Sequence, residues 1–165
     1  MAVKTDFTSD EWKKLLESPL LAGFAISAAD PSGIFGTLKE GLANASALAE
    51  AKTSASDALI KAVADDLLTA EGRAAARDGV KALIQAAGGI GGVKDKALAA
   101  LAQTAAILDA KAPADAPAFK AWLAGIANRV AEAGSEGGFL GFGGEQVSAA
   151  EKATLEEITK ALGVA

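Results

Sequence analysis

The chain has 165 residues, a formal net charge of −5, and no Cys, His or Tyr. Disulfides, thiolate chemistry and the usual neutral-pH proton shuttle are thereby excluded, and any acid–base work would fall to Asp, Glu, Lys or Arg. An acidic surface without a Lys/Arg run repels phosphate backbones, so a nucleic-acid partner is not expected.

The length suits a single domain over residues 1–165, with enough chain to bury a core. Alanine dominates, β-branched and aromatic residues are sparse, and no segment alternates with period two, so the composition predicts an all-α fold. The N-terminal residues lack the basic-then-apolar pattern of a secretory signal. The longest apolar run, residues 19–29, is about half of what a bilayer span needs. A cytoplasmic protein is expected, with membrane association disfavoured.

In chain order, Thr8 and Glu11 fit a capping box, and Phe7 and Trp12 a hydrophobic staple, so a first helix begins here with Trp12, Leu15 and Leu16 inward. Ser18-Pro19 is expected to end it and start a second, because Pro suits the first helical position. That second helix, about 20–29, is apolar all round and reads as a central core helix. A turn at Asp30-Pro31-Ser32-Gly33 leads to a third helix with Phe35, Leu38 and Leu42 on one face. Ser54 and Asp57 open a fourth, striped by Leu59, Ile60, Val63, Leu67 and Leu68. A fifth stripe follows at Ala76, Val80, Leu83 and Ile84. Thr69 can re-cap the chain near Gly72, and whether these two stripes are one kinked helix or two stays open.

The run GGIGG, residues 88–92, reads as a connection. A sixth helix is expected over about 93–110, with Leu98, Leu101, Ala105 and Leu108 inward. Pro113 and Pro117 bracket a short linker before the seventh helix, whose face is Phe119, Trp122, Leu123, Ile126 and Val130. Ser148 and Glu151 form another capping box, Leu155, Ile158 and Leu162 give the last helix its face, and Gly163 can stop it. The whole predicts a compact bundle of seven to eight helices.

Residues 134–147 stand out, with six glycines around Phe139, Leu140 and Phe142. Large apolar side chains in a glycine-rich connection must be sheltered, either by the bundle itself or by something that docks on it. The candidate binding residues are therefore Phe139, Leu140 and Phe142, with Phe24 and Phe35 lining the same apolar region. GGIGGVKDK has neither the Walker spacing nor a preceding strand, so no nucleotide site is read there. Asp65-Asp66, Glu156-Glu157 and the pair Asp30 with Glu40 are the visible oxygen donors for a hard cation. Most other acids, Glu17 and Asp109 among them, read as solvated helix positions. No nucleophile-and-base pairing is evident.

Residues 28–33, reading AADPSG and followed by Glu40, resemble the alanine-rich helix, Ala-Asp-Gly turn and Glu-led helix of the TerB-like tellurite-resistance family. Residues 144–151, reading GEQVSAAE and leading into a Glu-rich helix, look like a second copy with glycine where the family's Asp would stand. The resemblance implies a compact fold of about seven helices and a divalent cation held by acidic residues, here Asp30 and Glu40.

Three functions follow as expectations. The first is a non-enzymatic binding or scaffold protein that needs no cofactor and uses the Gly/Phe connection to form a homo-oligomer or dock a protein partner. The second is a carrier of a lipid or other apolar small molecule in an internal cavity. The third is a TerB-like, cation-binding stress protein.

Overall fold

A computed structural model describes residues 1–29, 57–135 and 147–164, and within them the regular structure is helical throughout. A 3-10 turn, Lys4–Asp6, precedes six α-helices: α1 (Ser9–Ser27), α2 (Ala58–Leu67), α3 (Ala70–Ala86), α4 (Ile90–Lys111), α5 (Ala116–Ser135) and α6 (Ala149–Leu162). The all-α expectation holds, and among the described residues there are six α-helices where seven to eight were expected of the whole chain. The two helices expected on either side of Ser18-Pro19 are one, and the helix expected around Phe35 lies outside the described residues.

The reason α1 survives its proline is local. Pro19 has no N–H to give the carbonyl of Leu15, four residues back. The Ser18 hydroxyl donates to that carbonyl instead, at 2.8 Å and fully buried. One residue earlier, Thr104 of α4 brings its hydroxyl to 3.5 Å from the Lys14 carbonyl while also bonding Ala100 O at 3.1 Å. The acceptor that Pro19 deprives is therefore served by a side chain, and the helix runs on.

The start and stop signals of the other helices are realised by their atoms. Thr8 Oγ1 accepts from Glu11 N at 3.3 Å while Glu11 Oε2 accepts from Thr8 N at 2.7 Å. Ser148 and Glu151 repeat the device at the head of α6. Asp57 Oδ1 accepts from the amides of Leu59 and Ile60, opening α2. Thr69 Oγ1 accepts from Gly72 N at 2.9 Å, which makes α2 and α3 two helices meeting at a corner. Gly163 closes α6 with φ of 67°, a conformation costly for any residue with a Cβ. The GGIGG run is only partly a connection: Gly88 and Gly89 take positive φ, whereas α4 already begins at Ile90.

α1 is the axis of the molecule and packs against all five other described helices. Leu15, Leu21, Ala22, Ala25 and Ile26 are buried on it, against Leu59, Val63, Leu101, Leu108, Phe119, Leu123, Ile126 and Ile158 of the surrounding helices. Alanines at 22, 25, 64, 76, 97, 127 and 131 are fully enclosed, so much of this interior is small-residue packing. Three residues expected inside are exposed: Phe24, Leu68 and Ile84. Leu68 is the C-cap of α2, where the chain turns outward.

Contacts between side chains fix the register. Glu11 meets Lys111, and Lys14 meets Gln103, so α1 and α4 are antiparallel. Thr8 and Trp12 share a groove with Glu71 and Gly72, and further along Glu17 lies against Gly79, so α3 runs alongside α1 in the same direction. Lys120 meets Asp109 and comes near Gly163, which places the head of α5 beside the tails of α4 and α6. One end of the molecule thus gathers residues 1–8, the α2–α3 corner, the α4–α5 turn and the tail of α6. The opposite end holds the tails of α1, α3 and α5 and the heads of α4 and α6.

Candidate functional site

Of the candidate binding residues singled out from sequence, Phe24 alone is among those described. Phe35, Phe139, Leu140 and Phe142 lie outside them, as do the cation candidates Asp30 and Glu40. Phe24 sits near the tail of α1 and is 40% exposed, so α1 is not enclosed all round as its composition suggested. Its flank is apolar: Leu20 is half-buried on the same helix, and at this level of α3 Leu83 is half-buried and Ile84 is 39% exposed. Residues 18–29 and 82–93 contain no charged side chain. Ser135 and Ala149, the helix ends that flank the Gly/Phe connection, belong to this same end of the bundle.

The opposite end is built from charges. Asp66, at the tail of α2, accepts from Trp12 Nε1 at 2.7 Å and from Lys4 Nζ at 2.8 Å on the same oxygen. Partial burial works against its charged form, but the Lys4 and Trp12 hydrogen bonds outweigh it and hold the carboxyl below its ordinary range. The Lys4 ammonium also stands 5.7 Å from the centre of the Trp12 ring. Phe7 packs its ring at 5.8 Å from Trp12, completing the staple read from the sequence.

These groups wall a groove of about 600 Å³, open to solvent on one side, between the N-terminal turn and the first turn of α3. Gly72 and Ala75 leave the space on the α3 side. A Cβ at Gly72 would collide with the Asp66 carbonyl, so no larger residue fits there without moving the corner.

Elsewhere at this end, Ala2 N donates to the buried Asp115 carboxylate at 2.7 Å. Lys120, 7% exposed, holds both oxygens of Asp109 at 2.7 Å. Lys111 and the Thr8 amide keep the Glu11 carboxyl below its ordinary range, tying the head of α1 to the tail of α4. Glu17, expected to be solvated, is half-buried between α1 and Gly79, and desolvation raises its pKa despite Lys13 and Lys14.

Asp66 and Glu157, both weighed as cation ligands, are engaged by Lys4 and Lys94. Among the described residues no cluster of three or more acidic groups is arranged to hold a metal. The groove escaped sequence reading because its parts are far apart in the chain. Trp12 and Asp66 are separated by 54 positions, and nothing local links an indole to an acid on another helix. Trp122, its ring edge-on to Phe119 at 5.2 Å, has a buried Nε1–H with no acceptor. Among the described residues no helix is long and apolar enough to cross a membrane. Comparison with family models, with curated proteins and with solved structures found no match.

Proposed function

We propose that this chain is a non-catalytic helical binding or scaffold protein that self-associates through the uncharged strip formed by the tails of α1 and α3 and the first residues of α4. The observation that carries the reading is the exposure of Phe24 on an otherwise buried stretch of the axial helix. Phe24 and Ile84 stand where α1, α3 and α4 offer no charge. A molecule of net charge −5 repels its copies over most of its surface, and an uncharged apolar strip is where that repulsion is weakest. Phe139, Leu140 and Phe142, which lie outside the described residues, are proposed to take part in the same association.

A lipid carrier would need a closed apolar interior. The described groove is open and has charged side chains on two sides, so it is not such an interior.

Substituting Phe24→Asp tests the proposal, because a half-exposed position tolerates the charge in the monomer while an apolar contact does not. Light scattering should give a dimer mass for the wild type and a monomer mass for the variant, with melting temperatures within a few degrees. A wild type that is monomeric at all concentrations overturns the reading.

A further inference from the structure

The groove at the charged end holds an ammonium group already, and that group belongs to the protein. Lys4 Nζ is 2.8 Å from Asp66 Oδ2 and 5.7 Å from the Trp12 ring centre, a carboxylate on one side and an aromatic face on the other. This pairing of an acid with an aromatic wall is how proteins recognise alkylammonium ions. Asp66 is fixed independently of Lys4. Trp12 Nε1 donates to it at 2.7 Å, and its backbone carbonyl accepts from the Thr69 hydroxyl at 2.7 Å and the Thr69 amide at 2.9 Å. The receptor therefore persists when the lysine leaves.

Lys4 is loosely held by comparison. Its side chain is 62% exposed on a short 3-10 turn, and exposed ion pairs on long flexible side chains are weak. With Lys4 swung out, Asp66 and Glu71 face Lys13 alone across the groove, leaving an excess of negative charge. The volume, about 600 Å³, falls in the range of small-ligand pockets.

We propose that the groove walled by Phe7, Trp12 and Asp66 is a binding site for a small primary alkylammonium compound, and that Lys4 occupies it in cis as an internal competitor. This stands apart from self-association, which uses the other end of the molecule.

The test uses the full chain carrying Trp122→Phe, so that Trp12 is the sole indole. Lys4→Ala in that background is titrated with 1,4-diaminobutane, and with 1-butanol as an uncharged control, while Trp12 emission and melting temperature are followed. The expected result is a saturable emission change and a rise in melting temperature with the diamine only. Binding to the chain that retains Lys4 should be about two- to five-fold weaker, because the competent state is only fractionally populated. Asp66→Asn added to Lys4→Ala should remove the response. No response in a Lys4→Ala protein of unchanged circular dichroism, or an equal response to butanol, overturns the site. Equal affinity with and without Lys4 overturns the cis competition.

Discussion

Ser18 and Pro19 show how one side chain decides the course of a helix. The Leu15 carbonyl loses its backbone donor to Pro19 and regains one from Ser18 Oγ. Ser18→Ala should therefore leave a buried acceptor unsatisfied and cost about 1–3 kcal/mol in chemical denaturation. In a Pro19→Ala background the backbone N–H returns, and the same Ser18→Ala change should cost much less. Additive losses in that double-mutant cycle would show that the hydroxyl does not serve this role. Glu17 behaves in the opposite sense to most surface acids. Its folded pKa is raised by desolvation, so the stability it contributes is present below its ordinary value of 4.5 and is lost as pH rises through the folded value. Glu17→Gln should then raise the melting temperature at pH 7 by about 1–4 °C. The gain should fade as the pH is lowered below the ordinary value, and a melting temperature that falls at pH 7 would contradict the assignment.

At the scale of elements, the α2–α3 corner depends on close backbone approach. Thr69 caps α3 through Gly72 N, and the Asp66 carbonyl occupies the space a Cβ at 72 would need. Gly72→Ala, although it favours an isolated helix, should destabilise the protein by about 1–3 kcal/mol, measured by urea titration, because the corner must open. An unchanged or increased stability would mean that the corner relaxes freely. The same elements mark what a sequence can and cannot reveal. Thr8 with Glu11, Ser148 with Glu151, and Gly163 were legible because a cap is satisfied within a few residues of itself. Pro19 misled because its rescue depends on how a neighbouring hydroxyl rotates, not on any pattern of residue types. Ile84 and Leu68 misled because their stripes gave period but not phase: an apolar residue at the edge of a helical face is inside only if a neighbour covers it. The groove was illegible for a further reason, since Trp12, Asp66 and Gly72 come together only after three helices have packed.

For the whole molecule, the governing feature is an uncharged apolar strip on the tails of α1 and α3 and the first residues of α4, with a set of ion pairs gathered at the opposite end. Lys4–Asp66, Glu11–Lys111 and Lys120–Asp109 gather where the chain starts and where α4 turns into α5. Phe24 and Ile84 stand at the other end, beside stretches without a single charge. An interface formed there must respond to salt in a particular way. Salt screens the long-range repulsion between two chains of net charge −5 and breaks no interfacial ion pair, so association should tighten as ionic strength rises. Sedimentation equilibrium of the wild-type chain at low and high salt, beside Phe24→Asp, measures this directly. The account predicts a dimer whose Kd falls with added salt and which the variant abolishes. A wild type that stays monomeric, or a dimer that salt dissociates, would contradict it.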